Sequence, residues 1–141
     1  MIRYQYGQMF KKLGVPGMGR QGSGWCAVDP SGTLVLMADQ NLFHRDSDGR
    51  WLYEGVGYPS LPESSRTAAS SVRMLADYFR PQREILLPIG IFRNDGCVHP
   101  DGTAEPAEFD HATGDVYRAT MRSFDLQTGH IVCEVVSKFI V

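Results

Sequence analysis

DVYRATMRSFDLQTGHIVCEVVSKFIV, residues Asp115–Val141, is the stretch whose reading decides the fold class. Two runs rich in apolar and β-branched residues flank the polar turn Asp125-Leu126-Gln127-Thr128-Gly129. In the first run Tyr117, Ala119 and Met121 alternate with Arg118, Thr120 and Arg122. In the second, Ile131, Cys133, Val135, Phe139 and Val141 share a face broken at Ser137, with Glu134 and Lys138 opposite. Val132, Val136 and Ile140 also fall on that opposite face, which implies that it is partly covered too. Period-two alternation around a turn reads as an antiparallel hairpin.

Similar turns recur upstream, at Asp29-Pro30-Ser31-Gly32 and Asp46-Ser47-Asp48-Gly49. Residues 24–54 therefore read as a β-meander. Its second strand, Thr33 to Ala38, is apolar on both faces, the mark of a strand buried on two sides. Glu84 to Phe92 is also strand-like, but Pro88 lies inside it and cannot donate to a ladder. That places the strand at an edge or at a bulge. Tyr4 and Tyr6 alternate with polar neighbours and permit a short first strand.

A helix is expected from about Ser64 to Phe79. Ala68, Val72, Leu75 and Phe79 fall at helical spacing, Ser64 or Ser65 can cap the first turn, and Pro81 stops it. The predicted architecture is α+β: one antiparallel sheet of about six strands, curved or partly closed, with one long helix packed on it. Trp25, Leu34, Leu36, Val72, Leu75, Phe79, Ile89, Met121, Ile131 and Val135 are the expected core.

The 141 residues suit a single domain, 1–141, with a core of useful size. Two segments stand apart: a glycine-rich loop or arm over 13–24, and a long acidic loop over 94–114. A net charge of −2 excludes a general nucleic-acid coat, though not a local basic patch. Nucleic acid is thus a disfavoured partner, and a protein or an anionic ligand a better one. Three cysteines without a Cys-x-x-Cys pair point to a reducing, cytoplasmic setting rather than a disulfide framework. No stretch approaches the roughly 20 apolar residues of a membrane helix.

Two sets of residues offer chemistry. Between Arg93 and Arg118 there is no Lys or Arg, while 6 acids and two histidines gather. His99, Asp101, Asp110 and His111 are the candidate catalytic residues there, since an imidazole oriented by a carboxylate can act as a general base. Two imidazoles among carboxylates could also bind a divalent metal and assist such an enzyme; the spacing matches no metal motif, so no metal site is assigned, and the sequence leaves the cofactor unknown. The second set is a basic stripe with aromatics. Arg66 and Arg73 on the expected helix, Arg118 and Arg122 on the last hairpin, and Trp51 and Tyr58 would contact an anionic partner. His44, Asp46 and Asp48 resemble a calcium loop but lack the closing Glu, and an Asp-Gly turn explains them.

With no catalytic motif present, the leading expectation is a non-catalytic recognition module. It would bind a macromolecule or ligand through the sheet concavity, the basic stripe or the long loop. The alternatives are a small hydrolase-like enzyme using the 94–115 histidines and aspartates, and an inhibitor or subunit of another protein.

Overall fold

The computed structural model describes residues 3–15, 26–55, 75–93, 97–98, 104–105, 109–125 and 130–141. It differs from the expected α+β class. The described chain is mostly sheet, and its helices are short: α1 (Tyr6–Lys12), a 3-10 turn (Gln40–Leu42) and the helical residues 75–78. The first eleven positions of the expected long helix, 64–74, lie outside the described residues.

The strands, in chain order, are β1 (Cys26–Val28), β2 (Leu34–Leu36), β3 (Ala38–Asp39), β4 (Phe43–Arg45), β5 (Trp51–Gly55), β6 (Glu84–Phe92), β7 (Cys97–Val98), β8 (Ala104–Glu105), β9 (Phe109–Phe124) and β10 (Ile131–Ile140). Eight form one sheet in the order β1-β2-β6-β9-β10-β5-β4, with β3 also paired to β6. β7 and β8 make a separate small hairpin. The main sheet is mixed, because β2 and β3 run parallel to β6 while the other pairs are antiparallel. A parallel pair needs a long crossover. The chain between β3 and β6 supplies it, after building the β4–β5 hairpin at the far edge.

β6 is central, not an edge. Pro88 is accommodated by irregularity on both sides. Leu34, Val35, Ala38 and Asp39 keep one register against Ile85, Leu86, Ile89 and Gly90, so the break at Met37 falls opposite Pro88. On the other side the β6–β9 ladder shifts register between Pro88 and Gly90. A residue without an N–H cannot complete a ladder bond, and the neighbouring strands interrupt where it sits.

The two upstream turns form as expected, by one mechanism. Asp29 Oδ1 accepts from the N–H groups of Ser31 (3.0 Å) and Thr33 (2.8 Å), and Asp46 Oδ1 from those of Asp48 (3.0 Å) and Arg50 (2.9 Å). Gly32 and Gly49 follow with φ of 88° and 81°, a conformation that closes a type I turn into a hairpin. The N-terminal segment is not a strand. Tyr4 makes one isolated bridge to Ala112, and α1 begins two residues later.

The sheet buries both faces. The inner face carries Cys26, Leu34, Leu36, Ala38, Tyr53, Ile85, Leu87, Ala119, Met121, Ile131 and Cys133, with Leu75 packed against them. The outer face carries Val35, Met37, Ala112 and Val116 under Met9, Phe10 and Val15 of the N-terminal segment. Of the expected core, Leu34, Leu36, Leu75, Ile89, Met121 and Ile131 are buried, Phe79 and Val135 partly so, and Trp25 and Val72 lie outside the described residues.

The sheet is also curled. β4 and β9 are three strands apart, roughly 14 Å if flat, yet the rings of Phe43 and Tyr117 sit 5.0 Å apart across the inner face. Gly114 helps β9 bend. Its φ is 91°, and a Cβ there would come within 2.9 Å of the Tyr4 ring. Gly114→Ala should therefore cost about 1–3 kcal/mol, read as a lower urea midpoint at unchanged slope.

Candidate functional site

The bulges of β9 create the first cluster. His111 lies opposite Ile91 and Phe109 opposite Phe92, so Asp110 is an extra residue in the ladder. In a regular strand neighbouring side chains point to opposite faces; the bulge re-aims them. Asp110 and His111 consequently meet: His111 Nδ1–H donates to Asp110 Oδ2 at 2.6 Å. Arg93 Nε and Nη2 both reach Asp110 Oδ1 at 3.0 Å. The hydrogen bond from His111, then that from Arg93, holds the Asp110 carboxyl below its ordinary range. The His111 side chain is 14% exposed. Two of the four expected catalytic residues are thus brought together, while His99 and Asp101 lie outside the described residues.

The two described arginines of the expected stripe both face carboxylates. Arg118 and Arg122 lie on the outer face of β9. Arg118 Nη1 reaches Glu84 at 3.2 Å and its guanidinium covers the Phe139 ring at 4.7 Å. Arg122 reaches Glu134 at 3.5 Å, and Glu134 also lies 3.7 Å from Arg50. Arg66, Arg73 and Tyr58 lie outside the described residues.

Beside this ladder, Glu54 joins two histidines that the sequence did not connect. His44 Nε2 is 2.9 Å from Glu54 Oε1 and His130 Nε2 is 3.3 Å from Oε2. The contacts tie β4, β5 and the start of β10. Among the described residues no group of three or more His, Cys, Asp or Glu is arranged to hold a metal ion.

Trp51 leads to a third cluster, on the inner face. Phe43 and Tyr53 are cross-strand partners, as are Arg45 and Trp51 one step on. Phe43 stacks on Trp51, with centroids 6.1 Å apart and planes at 19°, and lies 5.0 Å from both Tyr53 and Tyr117. Arg45 covers the Trp51 ring at 5.3 Å. Lys138 is the cross-strand partner of Tyr117 and Ile140 that of Asp115, so both share Tyr117's face. Val136 is the extra residue of a bulge just before them. It is 66% exposed and Ile140 77%. The inner face thus ends in a half-exposed row, Tyr117–Phe43–Trp51, with a cation at each end and two exposed aliphatics alongside. Alternation identified Trp51; Phe43 and Arg45 reach it through the β4–β5 ladder, and Tyr117 through the curl.

Cys26 and Cys133 are buried free thiols whose pKa burial pushes up, so they pack as small apolar groups. No helix among the described residues is long and apolar enough to cross a membrane.

Half-buried aspartates make stability acid-sensitive, Asp46 and Asp110 among them. Backbone donation from Arg50 and the Arg50 side chain lower the pKa of Asp46, as His111 and Arg93 lower that of Asp110. A carboxyl with a depressed folded pKa stabilises fully above its unfolded value, and that contribution is lost as pH falls through the folded one. Melting temperature should therefore drop on acidification below about pH 4, and Asp46→Asn or Asp110→Asn should flatten that acid limb. Thermal melts across pH test this. No known protein family, curated protein or solved structure matches the chain.

Proposed function

We propose that the chain is a recognition module that takes its ligand or partner at the open end of the sheet's inner face. One observation carries this reading: the half-exposed ring row Tyr117–Phe43–Trp51 shares its face with Ile140, 77% exposed, and Val136, 66% exposed, is the bulge residue just before it on β10. Exposed apolar groups clustered on one surface signal a binding site more than scattered ones do. Aromatic rings supply large contact area at small cost in side-chain entropy. The basic-stripe version has less support, because both of its described arginines already face carboxylates. A reducing, cytoplasmic setting belongs to the same reading, and the buried free thiols of Cys26 and Cys133 support it.

A second reading, a small enzyme, is favoured by the 2.6 Å contact between Asp110 and His111. A carboxylate holding Nδ1 leaves the other ring nitrogen as the base.

Amide and indole chemical shifts, followed while a fragment library is titrated in, separate the two. The module reading expects bound fragments to shift Trp51, Phe43, Tyr117 and Lys138, with Trp51→Leu removing the response from a protein that still melts cooperatively. Shifts centred on His111 and Asp110 instead would move the site to the dyad.

A further inference from the structure

We infer that the ring row takes a small organic anion with an apolar, aromatic body, its charge held between Arg45 and Lys138. The inference rests on the module reading and adds the chemical class of the ligand.

The charges argue for it. Arg50, Arg93, Arg118 and Arg122 face carboxylates. Arg45 and Lys138 are exposed and, like Arg3, Lys11 and Lys12, have no carboxylate at ion-pair distance among the described residues; what sets them apart is that cross-strand pairing puts them on the face of the ring row. Arg45 donates to the Gly49 carbonyl at 2.8 Å, which fixes the guanidinium over Trp51 without neutralising it. Lys138 stands at the other end, beside Tyr117. Of the nearby acids, all but one turn elsewhere. Asp46 and Asp48 turn to Arg50, leaving Asp115, opposite Ile140, as the acid sharing this face.

The apolar surface lies between and beside the two positive charges. A hydrophilic anion would find cations but leave Val136 and Ile140 in water. A neutral apolar ligand would cover the aliphatics but leave both charges unanswered. An anion with an aromatic body meets both demands, stacking or packing along the rings while its carboxylate, sulfonate or phosphate reaches a cation. Guanidinium and ammonium differ in geometry, so a planar oxyanion suits Arg45 and a compact one Lys138.

The test uses two fluorescent probes with closely related ring systems, anilinonaphthalene sulfonate and the neutral phenyl-naphthylamine, on the full chain. The expected result is saturable binding of the sulfonate that weakens with added salt. In Arg45→Gln/Lys138→Gln that affinity should fall about fivefold, while affinity for the neutral probe is unchanged. Both substitutions are at exposed positions, and an unchanged melting temperature confirms the fold. If the sulfonate binds no more tightly than the neutral probe and the double variant alters neither, the anion inference is overturned while the module reading stands. If neither probe binds, or Trp51→Leu leaves both affinities intact in a folded protein, the site itself is wrong and both fall together.

Discussion

β6 is a central strand with a proline in its middle, and much of the architecture answers that constraint. A strand paired on both edges needs its N–H groups, and Pro88 lacks one. Both neighbours give way there: β2 and β3 part at Met37, and the β6–β9 ladder slips a register. The second irregularity has the larger consequences. It lies beside Gly114, whose positive φ lets β9 bend, and a further bulge follows at Asp110. Bulges increase local twist and bending. A bent β9 is what allows a sheet this wide to curl until Phe43 at one edge meets Tyr117 near the middle.

Curling decides how the two faces are covered. The inner face closes largely on itself, with Leu75 and Phe79 filling in from outside the sheet. The outer face is too wide for a helix of seven residues, so the N-terminal segment covers the part over β1, β2, β6 and β9, with Phe139 of β10 at its border. The uncovered part, over β4, β5 and β10, is where the charges sit. Glu54 contacts His44 and His130, and Glu134 faces Arg50 and Arg122 across the strands. Such exposed pairs each contribute at most about 1 kcal/mol. Their main effect is to give a solvated face groups that are content in water.

Local chemistry was legible in the sequence and long-range placement was not. The turns at Asp29 and Asp46 were readable because an aspartate accepting from its own backbone, followed by a glycine, is a local mechanism. The last hairpin was readable because its alternation survives two bulges. The parallel pairing of β2 with β6 left no trace, since both strands are apolar on both faces and fit either direction. Residues 109–114 looked like loop because the polar run Asp110-His111, then Thr113-Gly114-Asp115, hides a strand whose bulges break the period of two. Spacing suggested that Asp110 and His111 belong together, but regular strand geometry would have separated them. Trp51 was identified as an aromatic contact, and the β4–β5 hairpin sets Phe43 and Arg45 beside it, whereas Tyr117 and Lys138 join them only through curvature, which no local pattern records.

The two candidate sites, the ring row and the Asp110–His111 pair, differ in how fully their polar groups are satisfied. Around Asp110 each carboxylate oxygen already has a charged or hydrogen-bonding partner, Arg93 on one and His111 on the other. That is how a structural bridge between β6 and β9 is expected to look, since an ion pair gains most when both members are engaged. At the end of the inner face the reverse holds. Arg45 and Lys138 form no ion pair with a described carboxylate, and Val136 and Ile140 stay in water. A protein gains nothing in stability from leaving such groups exposed together. Interaction potential that folding does not use is what a binding partner can use, and this favours the ring row over the dyad as the place where this chain meets another molecule.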